Sequence, residues 1–327
     1  MPGRPIAGCA RRPGGCGWRR RRGSGRELPL RPDGRAGVGG RTGLPEDRRF
    51  FRPEWSLHPK IHWGDWASPV NRKCVPSVSV ISENLWLPPE RSVASRLGAR
   101  LFCLPHGGAD GSVFRSWHGL AGPGIEVVPV QLPGRGIRMA EPAEKSIVRL
   151  GERLAGPIAH RADDLPYVLF GHSMGALLAY ELGIALQDGP RPPAAVVVSG
   201  TVPPHVPRST PAMHQLPDEE FRSRLGALGG IPQELLAEEE WLELFLPGLR
   251  ADFEAAETYR TRSTLSAGVR LIALGGADDP AAPPAEVERW RELGTDVTVR
   301  IFAGDHFFPF ESTDQVLALV SAVCMAR

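Results

Sequence analysis

The sequence has no run of eighteen apolar residues, so no stretch is long enough to cross a bilayer as a helix. Behind the arginines near its start there is no apolar segment of the kind a signal peptide needs. Its five cysteines, Cys9, Cys16, Cys74, Cys103 and Cys324, follow neither metal-ligand nor disulfide-framework spacing, and Cys103 falls inside an apolar run. Together these absences predict a cytoplasmic protein in a reducing compartment. Also missing are an H-E-x-x-H pair, a Walker phosphate loop and a G-x-G-x-x-G opening a helix after a strand. No metal and no bound cofactor are therefore expected.

Charge of either sign is nearly balanced overall but not locally. Residues 1–82 carry about +11 and residues 83–327 about −9. The first segment is dominated by Arg, Gly and Pro, as in Arg19-Arg20-Arg21-Arg22-Gly23, with no sustained period of 2 or 3.6, and that composition predicts disorder. An arginine-rich arm can bind nucleic acid, but Trp18, Trp55, Trp63 and Trp66 follow no spacing suited to base stacking, so no nucleic-acid partner is expected. An over-extended reading frame, with initiation near Val80, accounts for the segment more simply: no second methionine precedes Met139, and domain-like sequence begins at about Glu83. The remaining length suits one large α/β domain, 83–327.

Within that domain strand and helix signals alternate. Apolar runs at 100–104, 125–130, 167–170, 194–199, 269–274 and 297–302 read as strands, and amphipathic or apolar stretches at 147–159, 174–186 and 313–325 as helices. Such alternation predicts a mostly parallel central sheet with helices on both faces and functional groups gathered at the carboxyl ends of the strands. Residues 202–266 break the rhythm: they show helical spacing and no strand, and read as a helical lid inserted over those ends.

The chain is organised around Gly171-His172-Ser173-Met174-Gly175, which lies between an apolar strand and a helix. That placement is what G-x-S-x-G requires. The serine adopts a strained backbone, the flanking glycines let strand and helix approach, and the hydroxyl lies exposed at a helix N-terminus. A serine hydroxyl is a poor nucleophile until a histidine takes its proton and a carboxylate orients that histidine. His306 follows the last strand and is better placed than His58, His62, His118, His160, His205 or His214, which fall in tail, helix or insertion. The acid should follow an earlier strand, where Asp278 and Asp279 both stand; Asp279 is preferred, in the chain order Ser, Asp, His. Oxyanion donors are expected at the backbone N–H of Met174 and, in the loop Pro105-His106-Gly107-Gly108-Ala109, at Gly107.

Several stretches in order resemble the stand-alone type II thioesterases of polyketide and nonribosomal peptide synthesis. They are Pro105-His106-Gly107-Gly108, Gln131-Leu132-Pro133-Gly134-Arg135, Phe170-Gly171-His172-Ser173-Met174-Gly175, Leu246-Pro247-Gly248-Leu249-Arg250-Ala251-Asp252-Phe253 and Gly304-Asp305-His306-Phe307-Phe308. The resemblance runs from about Glu83 to the C-terminus. It implies an α/β-hydrolase fold and an editing enzyme that removes aberrant or short acyl groups from the phosphopantetheine arm of an acyl or peptidyl carrier protein. It also implies Ser173 as nucleophile, His306 as base, Asp279 as acid, and Gly107 with Met174 at the oxyanion hole. Where the family commonly has alanine after the motif histidine, this chain has Gly107, which should preserve the backbone donor. The protein is expected to act as a monomer. The rival is a small-molecule serine carboxylesterase on the same fold. An acyltransferase would carry an upstream glycine-glutamine motif that is absent here, and an intact triad disfavours a non-catalytic scaffold.

Overall fold

The chain divides into two units, Met1–Pro69 and Val70–Arg327. In the computed structural model the described residues are 85–90, 97–207, 211–229, 231 and 238–325, all within the second unit. The expectations for residues 1–82, including disorder, and the proposed domain start at Glu83 lie outside them.

Six strands, β1 (Ala99–Leu104), β2 (Ile125–Pro129), β3 (Tyr167–His172), β4 (Ala195–Ser199), β5 (Arg270–Gly276) and β6 (Val297–Phe302), form one sheet in the order β2-β1-β3-β4-β5-β6. Every pairing is parallel. The expected mostly parallel sheet is, among the described residues, wholly parallel.

The sequence explains the burial. A parallel strand covered on both faces reads as a continuous apolar run, and its alternate residues then enter different cores. Phe102 and Leu104 of β1, Leu169 of β3 and Val196 of β4 face one layer, with the helices α1 (Ile147–Ala162) and α2 (Met174–Leu186). Leu101, Cys103, Phe170 and Val197 face the other, with Trp117 and the last helix, α5 (Thr313–Met325). Helix α1 starts where Ser146 caps the Arg149 N–H and runs three residues beyond the expected end, with Pro157 inside it. Helix α2 is apolar nearly all round because it is buried nearly all round.

Between β4 and β5 no strand occurs among the described residues, as expected. Helices α3 (Asp218–Leu228) and α4 (Glu239–Thr258) stand there, sharing a small core of Phe221, Leu225, Leu242 and Leu249. Trp86 anchors the start of the described domain. It is buried, its carbonyl accepts the Gln131 N–H at 2.8 Å, and the Arg138 and Arg153 guanidiniums lie 4.0 and 4.9 Å from its ring centroid.

Candidate active site

Ser173 stands between β3 and α2 with φ +55° and ψ −117°, one of two non-glycine residues at positive φ among those described. Such a backbone costs about 1–3 kcal/mol and persists only where its surroundings over-determine it. Here they do. The Ser173 N–H donates to the Ser199 carbonyl at 2.8 Å, and the two flanking glycines pack where no side chain fits. A Cβ on Gly171 would lie 1.9 Å from the Gly175 carbonyl oxygen, and one on Gly175 would lie 2.2 Å from that of Leu104. The second contact also brings the end of β1, and with it the loop 105–109, beside the serine.

His306 and Asp279 meet at the ends of β6 and β5. The two loops are tied together by backbone bonds, Ala277 N–H to Phe302 C=O at 2.8 Å and Asp278 N–H to Gly304 C=O at 3.0 Å. His306 Nδ1 lies 2.8 Å from Asp279 Oδ2. Asp279 Oδ1 accepts the Ala281 and Ala282 N–H groups at 2.8 and 3.2 Å. A buried carboxylate so placed requires the proton on Nδ1, which leaves the lone pair on Nε2. Asp278, one residue earlier, is exposed, and Asp279 is 2% exposed.

A cavity of about 540 Å³ opens over these groups, lined by Ser173, His306, Gly107 and Met174. Thus the four expected residues other than Asp279 face one space, and Asp279 stands behind His306. Much of the remaining wall is apolar and comes from the insertion, including Leu225, Leu249, Phe253 and Ala256. Two insertion histidines are engaged elsewhere, His205 with Glu292 at 2.8 Å and His214 with Glu257 at 2.6 Å. His160 is exposed on α1, and His118 lies in the short helix Trp117–Leu120.

Two further histidines flank the site without having been singled out. His172 is fully buried, its Nδ1 is 3.2 Å from Ser199 Oγ, and its ring centroid is 5.0 Å from that of His306. Burial, then the neighbouring His306 and His106, hold its pKa well below the usual histidine value. His106, whose Nδ1 lies 3.0 Å from the Gly107 carbonyl, is pushed down to about 4, chiefly by burial. Both are neutral at pH 7, so a positive charge arising on His306 meets no second one beside it. Sequence offered only their place next to Ser173 and Gly107 as a signal.

A strand-to-helix serine turn, a carboxylate-paired histidine after the last strand and an all-parallel sheet define an α/β hydrolase. The Thioesterase domain family matches residues 99–324. The linear gramicidin dehydrogenase LgrE of Brevibacillus parabrevis is 35% identical over 248 residues, 74% of this chain and 93% of that protein. Its name describes a dehydrogenase, an activity for which this sequence carries no dinucleotide glycine motif. The gramicidin S biosynthesis protein GrsT of Aneurinibacillus migulanus is 34% identical over 228 residues, 69% of this chain and 89% of that protein. The structure of the type II thioesterase BorB from the borrelidin biosynthetic cluster aligns with a TM-score of 0.65 at 33% identity, covering 73% of this chain and 98% of that one. The chain belongs to the thioesterase family, and within it to the type II thioesterases of polyketide and nonribosomal peptide pathways. It is a thioester hydrolase.

Proposed function

We propose that Ser173 is the nucleophile, His306 the general base and then acid, and Asp279 the group that orients His306, acting on acyl groups carried by the phosphopantetheine arm of a carrier protein. The observation that carries this reading is the 2.8 Å pair of His306 Nδ1 and Asp279 Oδ2 beside a cavity that Ser173 also lines. Ser173 Oγ attacks the thioester carbonyl as its proton passes to His306 Nε2. The oxyanion is held by the N–H groups of Gly107 and Met174, the second at the positive end of α2. Collapse breaks the carbon–sulfur bond, and the thiolate takes the proton from His306. Water, deprotonated by His306, then attacks the acyl-serine; the second tetrahedral adduct releases the carboxylic acid and returns the proton to Ser173.

Residues 202–266 serve as the lid, and residues 83–327 as the catalytic domain. A space of about 540 Å³ lies within the range of small-molecule sites. It must take the end of the arm as well as the acyl group, which favours short acyl chains. Contacts with the arm and carrier, remote from the reacting carbon, orient the thioester, so shortening the substrate should lower kcat as well as affinity. The test compares kcat/KM for acetyl-carrier protein, the matching N-acetylcysteamine thioester and p-nitrophenyl acetate, with Ser173→Ala as control. The carrier-bound thioester is expected to be the best substrate, and Ser173→Ala to lose about four orders of magnitude in turnover. Equal turnover of the simple ester would replace this reading with that of a small-molecule carboxylesterase.

A further inference from the structure

Two of the stretches that carry the family resemblance, residues 131–135 and 246–253, have no part in the chemistry above. The fold joins them to each other and to the loop after β1. Asp252 of α4 is 1% exposed. Its Oδ2 accepts Arg135 Nη1 at 2.6 Å and the Gly108 N–H at 2.7 Å, and its Oδ1 accepts Arg135 Nη2 at 2.6 Å. Arg135 is itself buried and donates its Nε to the Pro133 carbonyl at 3.2 Å. One turn before Asp252, Leu249 fills the place a Gly108 side chain would take: a Cβ there would lie 2.4 Å from Leu249 Cδ2.

The peptide between Gly107 and Gly108 is thus held at both ends. Its N–H points to Asp252, and its carbonyl, that of Gly107, lies 3.0 Å from His106 Nδ1. Clamping that peptide sets the backbone rotation of Gly107, and with it the direction of the neighbouring Gly107 N–H. A buried ion pair adds little net stability compared with apolar packing, so stability alone does not account for one here.

We infer that Asp252, held by Arg135, is a positioning residue for the oxyanion donor at Gly107, so that helix α4 of the insertion completes the active site as well as covering it. This rests on the reading of Gly107 as an oxyanion donor and of Ser173 as nucleophile. It concerns a step in which charge develops, so its loss should weaken the transition state and leave ground-state binding alone.

The test measures kcat, KM, Tm and the Ki of a trifluoromethyl ketone analogue of the acyl-pantetheine thioester, which forms a tetrahedral oxyanion on the serine. Asp252→Leu removes the acceptor for Gly108, and is expected to lower kcat about 100-fold and raise Ki in proportion, with KM within about threefold. Asp252→Asn keeps a carbonyl for Gly108 and is expected to show a smaller loss in the same direction. If the leucine variant does not fold, Arg135→Lys, which keeps the charge but not the two-pronged grip, carries the test with an expected loss of about tenfold in kcat and Ki. Folded variants with unchanged kcat and Ki, or with KM raised and kcat intact, overturn the inference. Ser173→Ala separates the two readings. If it retains hydrolysis, the underlying mechanism has failed and the inference falls with it; if it is inactive while Asp252→Leu turns over normally, only the inference has failed.

Discussion

Asp279→Asn replaces one oxygen by an amide nitrogen and leaves the shape unchanged, so its effect can be derived from the hydrogen bonds. Asp279 Oδ1 accepts two backbone N–H groups, from Ala281 and Ala282, and Oδ2 faces His306 Nδ1. In the variant the carbonyl oxygen must stay with the two N–H groups, because turning the amide would leave both without an acceptor at about 1–3 kcal/mol each. The NH₂ then points at His306 and can only donate, so Nδ1 must accept and the ring proton moves to Nε2. His306 is left without a lone pair toward Ser173. The expected loss is about 10⁴-fold in kcat, equivalent to about 5 kcal/mol of transition-state stabilisation, with Tm nearly unchanged. Asp278→Asn, on an exposed side chain, should stay within about twofold. The assay is steady-state hydrolysis of an acyl-N-acetylcysteamine thioester by both variants, with thermal melts alongside. Less than a tenfold loss in Asp279→Asn, or a larger loss in Asp278→Asn, would refute the assignment of the acid.

Gly175→Ala would bring a methyl group within 2.2 Å of the Leu104 carbonyl and 2.5 Å of that of Pro105, both backbone, so a loss of about 2–3 kcal/mol is expected. A fall in Tm of roughly 5–10 °C should accompany it, and a wild-type melt would refute the close approach at the serine turn. The neutral histidines make stability depend on pH. The unfolded chain binds protons below about 6.5, whereas folded His106 does so only near 4 and His172 is held lower than its usual value. Stability is therefore complete above about pH 7 and declines as pH falls toward 4, by up to about 1.4 kcal/mol per pH unit for each histidine. Melts from pH 7.5 to 5 should show this slope, and His172→Gln should flatten it; an unaltered slope would remove His172 from the account. Deletion of residues 1–82 should leave Tm and turnover unchanged, since that composition lacks the periodicity to pack on a domain. Deletion through residue 90, which removes buried Trp86, should cost about 3–5 kcal/mol, and equal melts of the two truncations would contradict the anchoring role of that ring.

The elements that depend on neighbouring residues were legible in the chain. Helices 174–186 and 313–325 and the strand 297–302 fall where the periodicity put them, because the spacing of apolar residues along a helix or strand is a local property of the chain, whether the element is buried nearly all round, as 174–186 is, or lies at the sheet edge, as 297–302 does. Ser173 was legible for the same reason: two glycines flanking a serine between an apolar strand and a helix describe a turn whose tightness is built from adjacent residues. His306 was legible by its position after the last strand. Local pattern had no means to separate Asp279 from Asp278, since two adjacent aspartates before a proline read alike; the preference for Asp279 came with the family resemblance.

Tertiary structure separated them. The direction of the chain after β5 buries Asp279 against His306 and turns Asp278 to solvent, and backbone N–H groups two and three residues on take up the remaining oxygen. Nor could the strand order be read from runs that look alike on both faces; parallel pairing and crossovers determine which strand ends become neighbours. The contact of Arg135 with Asp252, 117 positions apart, appeared in the sequence only as two unexplained stretches. Charge pairing carries no periodicity, so the sequence could show that both residues are present, and only the packing of α4 onto the loop after β1 decided that they meet at Gly108.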